Sequence, residues 1–388
     1  MSAADWLERG ILVTVGTGGV GKTTTSAALA LEAARRGKRA LVLTIDPARR
    51  LADALGLDQL DHDARELPRD ALRAVGVPEG GSLAAMMLDT KRTFDDLVAR
   101  YAPDAKSAER IYANPIYQNL TDALSGSREY SAMERLHQMH ALGDYDLIVL
   151  DTPPASHALD FLDAPRRLTG LLDSQVLRVL FGPALAMGRS GMWLFRMGSD
   201  ALLATVERVT GIEFLRVVSE FVLAFESMFA GFSTRAREVE ALLRSRECGF
   251  VLVAGPDPVQ AKRAVEFWER LKQEQIQLVG LVVNRVRGWP GGGEAPAIDA
   301  PARVAGSAAL AAAWRERGVA FDADRVARAT CEAAVDAAAI SRRHAQIVAE
   351  LAAAMPLADG DARLIPLFAD EVNALESLSK MAEHLLDD

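Results

Sequence analysis

Cysteine is all but missing from these 388 residues: Cys248 and Cys331 are the only two, far apart and in no C-x-x-C spacing. That argues against a disulfide framework and against a zinc or cluster site built on paired cysteines. Positive charge is also short. With 44 Lys and Arg against 53 Asp and Glu, the formal net charge is −9, so nothing electrostatic favours sequence-independent binding to a nucleic acid backbone. No stretch approaches the ~18 apolar residues of a spanning helix. The opening MSAADWLERG has Asp5, Glu8 and Arg9 where a secretory leader needs an apolar centre. The expectation is a cytoplasmic protein with neither nucleic acid nor zinc as a ligand. No internal repeat is present.

Apolar residues are plentiful, 50% of the total, enough for a sizeable core. They fall in short runs rich in Val, Ile and Leu: ILVTVG before a helix that starts near Lys22, RALVLTI ahead of Asp46, and YDLIVLD ending at Asp151. GFVLVAG, IQLVGLVVN and ARLIPLF follow. Such runs, alternating with amphipathic segments, predict a doubly wound α/β fold with a mostly parallel sheet covered on both faces. Two stretches, about 53–144 and 156–247, carry few strand signals and read as mainly helical, a helical subdomain inserted in a single domain spanning 1–388. The Gly-, Pro- and Ala-rich segment 287–306, RGWPGGGEAPAIDAPARVAG, reads as a flexible surface excursion before more helix.

The most specific signal follows the first apolar run. In GTGGVGKTT, Gly16, Gly21, Lys22 and Thr23 fit G-x-x-x-x-G-K-[ST] with a strand before and a helix after. In that setting backbone N–H groups and a helix N-terminus surround phosphates. Lys22 is then the partner of the β- and γ-phosphates, and the Thr23 hydroxyl a ligand of Mg²⁺. The candidate nucleotide-binding set of this loop is Gly16, Gly18, Gly19, Val20, Gly21, Lys22, Thr23 and Thr24. Two aspartates stand at the carboxyl ends of later strands, where parallel sheets present ligand-binding groups. Asp46, in LVLTIDPARRLADALG, suits orienting an attacking water. Asp151, in YDLIVLDTPPASHALDFL, suits holding Mg²⁺ through water, with Thr152, Pro153 and Pro154 making a stiff turn after it. Either aspartate alone is more often a cap or a turn residue; the three motifs in this order favour the catalytic reading.

GTGGVGKTT, TIDPARRLADALG and DTPPASHALDFL resemble the phosphate loop, first switch and second switch of the arsenite-pump ATPase family, which includes an ATPase that targets tail-anchored membrane proteins. SGSREYSAMERL, GLVVNRV and IPLFADEVNALESL extend the resemblance over most of the chain. It implies a dimeric enzyme that hydrolyses Mg²⁺–ATP, with Lys22 and Asp46 in catalysis, Asp46 positioning water. By the same resemblance Thr23 binds Mg²⁺ directly, and Asp46 and Asp151 reach it through water. Asn284 is implied to recognise the adenine base, with Pro366 and Phe368 packed near it.

One departure from the family bears on the dimer. Members usually carry a lysine where this chain has Thr17, and that lysine reaches the partner subunit's phosphates; a threonine has neither the charge nor the reach. Three arrangements stay open: a heterodimer with a lysine-bearing paralogue, a homodimer in which Arg49 or Arg50 takes the lysine's part, or a slow nucleotide switch. Arg49 and Arg50 also fit a plain solvated helix start. Asp257, after GFVLVAG, is left without a role.

Composition narrows the task within the family. Two distant cysteines cannot supply the thiolates of an arsenite or iron–sulfur site. The acidic charge disfavours DNA partitioning, and the C-terminal NALESLSKMAEHLLDD ends acidic rather than as a basic membrane-targeting helix, leaving at most transient membrane contact. The expectation is a chaperone-like or targeting ATPase for hydrophobic, membrane-protein clients. A weakly active regulatory subunit is the alternative, and the ATPase subunit of an anion pump fits less well. Phe214, Val218, Phe221, Val222, Phe225 and Phe229 recur at helical spacing, and Met187, Met192, Trp193, Phe195 and Met197 lie in a glycine-containing neighbour, as a client surface would require. A core helix or a dimer contact shows the same stripe. His137 and His140, one turn apart, lack a supporting ligand pattern for a metal and fit an ordinary helix. His157, after the second switch, is either a reporter of nucleotide state or a plain helix-start residue.

Overall fold

The computed structural model describes residues 3–46, 49–115, 117–118, 127–153, 231, 234–355, 357 and 362–386. Eight strands form one sheet: β1 (Ile11–Gly16), β2 (Arg39–Thr44), β3 (Arg65–Glu66), β4 (Ser82–Met87), β5 (Leu147–Asp151), β6 (Cys248–Ala254), β7 (Leu278–Val286) and β8 (Ala362–Pro366). Their order is β3-β4-β2-β5-β1-β6-β7-β8. The short edge strand β3 pairs antiparallel with β4, and the other pairs are parallel. The described helices are α1 (Ala3–Trp6), α2 (Lys22–Arg35), α3 (Arg50–Leu55), α4 (Arg69–Ala74), α5 (Thr90–Tyr101), α6 (Ala105–Tyr112), α7 (Ser127–Leu142), α8 (Pro258–Gln273), α9 (Ala300–Glu316), α10 (Ala323–Ala354) and α11 (Leu375–Leu386).

Strand alternation distributes the core between two layers. Ile11, Val13 and Val15 of β1 face a cluster with Phe94, Leu97, Met133 and Phe267 from α5, α7 and α8. Leu12 faces the opposite cluster, with Leu29, Leu31, Leu378 and Leu385 from α2 and α11. Each such side chain taken from water contributes roughly 1.5–3 kcal/mol. Covering on both faces is why the strands read as continuous apolar runs and why the doubly wound α/β arrangement predicted from them is the one observed. Among the described residues no helix is long and apolar enough to cross a membrane.

Two boundaries read from the sequence are corrected. The stretch 53–144 contains β4, so the inserted helices do not begin at 53; SLAAMM has little β-branched character, and its pairing with β2 along Arg39↔Ser82 to Thr44↔Met87 overrides that weak propensity. The excursion 287–306 ends before 306, because Asp299 caps α9 by accepting from the Ala302 N–H at 2.7 Å with Pro301 in the first turn. Of the stretch 156–247, residues 231 and 234–247 are described, with 234–244 helical. Pro154, His157, Met187 to Met197 and the apolar stripe from Phe214 to Phe229 lie outside the described residues.

The N-terminal segment is locked onto β7. A Cβ on Gly280 would stand 1.9 Å from the Trp6 ring, and Trp6 is fully buried. Gly280→Ala is therefore expected to destabilise the fold by about 1–3 kcal/mol in urea denaturation, with a paired Trp6→Phe change recovering part of the loss.

Candidate active site

β1 lies at the centre of the sheet between β5 and β6, so its carboxyl end opens where neighbouring connections leave in opposite directions, the place where such sheets bind ligands. The loop Thr17–Gly21 leaves β1 there and enters α2. Gly19 and Gly21 hold φ of 79° and 94°, the left-handed region that glycine enters without strain. A Cβ on Gly16 would stand 2.1 Å from the Val253 carbonyl oxygen, so β1 approaches β6 there only without a side chain. Gly21 is the N-cap of α2 and supplies no side-chain bond. The first N–H groups of α2 are thus left for an anion. Lys22 is buried, its Nζ donates to the Thr17 carbonyl at 3.0 Å, and burial pulls its pKa down against the opposing pull of Asp151 and Asp46. Gly18 is exposed, Val20 buried, and Thr24 half-buried in the first turn of α2. Thr17 is only 6% exposed, and its hydroxyl makes no hydrogen bond among the described residues.

Asp151 is the hub. Register places it level with Thr14 of β1 and Thr44 of β2. Its Oδ2 accepts from the Thr23 hydroxyl at 2.8 Å and the Thr44 hydroxyl at 2.9 Å. Oδ1 is buried and accepts nothing from the described residues. With 1% exposure, burial raises the Asp151 pKa to about 6, past what the two hydroxyls and Lys22 return. The Thr44 hydroxyl also accepts from the Asp46 N–H at 3.2 Å, so one side chain joins the segment after β2 to the end of β5. Asp46 is half-buried, with Oδ2 3.5 Å from Arg50 Nη1. Arg49 is exposed at the N-cap of α3. The donor set fits a Mg²⁺–phosphate group: an open helix N-terminus, a buried lysine, a threonine hydroxyl and a carboxylate oxygen without a partner among the described residues.

A cleft of about 560 Å³ adjoins the loop, in the size range of small-molecule sites. Gly19, Val20, Asn284, Arg285, Arg287, Arg343, His344 and Leu367 are among its lining residues. Asn284 is buried and donates from Nδ2 to the Val20 carbonyl at 2.8 Å. Burial first, then Arg287 and Arg343, holds the His344 pKa below its ordinary value, and its Nδ1 accepts from the Arg287 N–H at 3.0 Å. Leu367, just after β8, lines the cleft, and Pro366 and Phe368 do not; Pro366 ends β8, and the Phe368 ring centroid stands 5.8 Å from that of His384.

Asp257, which the sequence left unassigned, caps α8 by accepting from Val259 and Gln260 N–H groups. His137 and His140 face different carboxylates, Glu238 at 3.9 Å and Glu247 at 2.9 Å. Among the described residues no group of three His, Cys, Asp or Glu is placed to hold a metal ion. Thr44 and Arg285 were missed from the sequence. Thr44 had a signal, a polar residue in a run buried on both faces; Arg285 had none.

A family model described as anion-transporting ATPase matches residues 9–287. The chain is 32% identical over 201 residues to "ATPase get3" of Pyrenophora tritici-repentis, covering 50% of this chain and 56% of that one. It is 35% identical over 199 residues to "ATPase get3" of Aspergillus terreus, covering 50% and 54%. For "ATPase GET3" of Phaeosphaeria nodorum the identity is 32% over 204 residues, covering 50% and 58%. The chain spans about half the length of the curated relatives it matches.

The folded Asp151 keeps its proton up to about pH 6, whereas an unfolded aspartate releases it near 3.8. Between those values the folded state binds more protons, so this group's contribution to stability falls as pH rises, and the full penalty is present above pH 6. Asp151→Asn is expected to exceed the wild type in stability by on the order of 2–3 kcal/mol at pH 8 and to match it near pH 4. Denaturation at both pH values checks this; a gain equal at both would dismiss desolvation as its origin.

Proposed function

The chain belongs to the anion-transporting ATPase family, and we propose that it is a Mg²⁺-dependent ATPase. The observation that carries this reading is the buried Asp151 carboxylate, one oxygen on the Thr23 and Thr44 hydroxyls and the other without a partner among the described residues, beside the uncapped start of α2. The loop N–H groups and Lys22 bind the phosphates, the latter by leaving the Thr17 carbonyl for a charged partner. Thr23, Asp151 and Asp46 are the residues that would hold Mg²⁺, the two aspartates through water. A bound Mg²⁺ would supply positive charge that offsets the charge of the phosphates. Asp46 orients the attacking water at the lip of the site. Because the Thr44 hydroxyl touches both Asp46 and Asp151, a change at either switch is felt by the other. Asn284 reads the adenine base from the cleft beside the loop.

The enzyme acts as a cytoplasmic dimer that opens and closes with nucleotide and so holds or releases a hydrophobic client. The family resemblance supports this reading, and the relatives named ATPase get3 support the ATPase part of it. Arg50 is nearer than Arg49 to taking the part of the lysine that Thr17 replaces, since its guanidinium already approaches Asp46. A second reading is a weakly hydrolysing regulatory subunit paired with a lysine-bearing paralogue. The buried Thr17, with no charge to offer another site, is the observation that favours it.

Lys22→Ala is expected to abolish nucleotide binding, while Asp46→Asn keeps binding and lowers turnover by about two orders of magnitude or more. Steady-state ATP hydrolysis as a function of protein concentration separates the two readings. A rise steeper than linear indicates a self-sufficient homodimer, and tight binding with negligible turnover indicates the regulatory subunit. Full hydrolysis by Asp46→Asn would remove Asp46 from the chemistry.

A further inference from the structure

Asn284 and Arg285 are consecutive residues near the end of β7, and in a regular strand their side chains would point to opposite faces. Both nevertheless reach the phosphate loop: Asn284 Nδ2 donates to the Val20 carbonyl at 2.8 Å, and Arg285 Nη1 to the Gly19 carbonyl at 3.1 Å. A local distortion makes this reach feasible. Arg285 sits at φ 63°, in the left-handed region that long side chains enter only at a cost. The pairing of β7 with β8 shifts register between Val283 and Val286, and such a bulge re-aims side chains. The Arg285 N–H also donates to Asn284 Oδ1 at 2.9 Å, which fixes the amide's orientation.

A trans peptide group points its carbonyl and its N–H in opposite directions. Drawing the Gly19 carbonyl outward therefore aims the Val20 N–H inward, and drawing the Val20 carbonyl outward does the same for the Gly21 N–H. N–H groups converging in this way form an anion cradle, whereas inward carbonyls would repel phosphate. Gly19 and Gly21, being glycines, do not hold this orientation unaided. We infer that Arg285 is a positioning residue for the phosphate loop, its guanidinium acting with the Asn284 amide to hold the Gly19 and Val20 carbonyls outward and the Val20 and Gly21 N–H groups toward the phosphates. This rests on the nucleotide-binding reading above, but it puts the effect of Arg285 on the phosphates rather than on the base. The strained backbone at Arg285 is what brings both donors to one side of the strand.

Arg285→Gly tests it, because glycine keeps the left-handed backbone and deletes the guanidinium. Titration calorimetry is expected to show the affinities for Mg²⁺–ATP and for Mg²⁺–tripolyphosphate, which has no base, falling together by about three- to tenfold. The melting temperature stays level or rises, and Arg285→Lys restores most of the loss. A fall confined to ATP would put Arg285 on the nucleoside and overturn the inference, as would unchanged affinity for both ligands. A loss that vanishes at about 0.5 M salt would reduce Arg285 to a distant charge and overturn it equally. A wild type that binds neither ligand would remove the nucleotide-binding reading, and this inference with it.

Discussion

Asp151 shares one carboxylate oxygen between the hydroxyls of Thr23 and Thr44, at 2.8 and 2.9 Å, while its other oxygen has no partner among the described residues. Three elements converge on that group. β5 carries it, α2 brings Thr23, and β2 brings Thr44 to the same level through the register Thr44↔Asp151. A carboxylate at 1% exposure is unfavourable unless charge or hydrogen bonds compensate it, and here the compensation inside the protein is incomplete. The deficit is a stored preference for a cation. A fold selected for stability alone would have no reason to retain it.

The loop that faces Asp151 is shaped from outside as much as from within. Gly16 lets β1 lie against the Val253 carbonyl, and the left-handed Gly19 and Gly21 carry the chain around the turn. Neither feature selects which way the peptide groups face. That selection comes from β7, whose last residues press donors onto the loop carbonyls. Gly21 and Asn284 are complementary here, since a Cβ on Gly21 would stand 2.2 Å from the Asn284 amide nitrogen. The phosphate side and the cleft side of the site therefore share one wall.

Asp46 and Asp151 differ in their surroundings although the sequence presents them alike. Asp151 ends a strand buried on both sides, so it is desolvated. Asp46 stands two residues beyond β2, half-buried and within 3.5 Å of the Arg50 guanidinium. Their shared neighbour, the Thr44 hydroxyl, accepts from the backbone N–H of one and donates to the carboxylate of the other. The two carboxylates thus differ in desolvation and in charged neighbours, the physical condition under which paired carboxylates can take different parts.

Much of this was legible from residue order. Runs of Val, Ile and Leu with helical segments between them gave the doubly wound sheet, because burial on both faces leaves no other composition for its central strands. GTGGVGKTT gave the phosphate loop, because glycines and the strand-loop-helix context follow local backbone rules. β4 escaped notice since SLAAMM becomes a strand through pairing rather than propensity. The helical start of α9 inside 287–306 has a local signal in Asp299 and Pro301, set against the Gly- and Pro-rich composition around it. What the sequence by itself determined are the features set by local periodicity and short motifs: the sheet, the loop, and the strand ends that present Asp46 and Asp151. What only the tertiary structure decided are the contacts set by register and by a single positive φ: the Thr44 bridge, the placing of Leu367 rather than Phe368 in the cleft, and the reach of Arg285 to Gly19. A hydrogen bond joining residues 266 positions apart depends on how whole strands align, and no local pattern encodes that alignment.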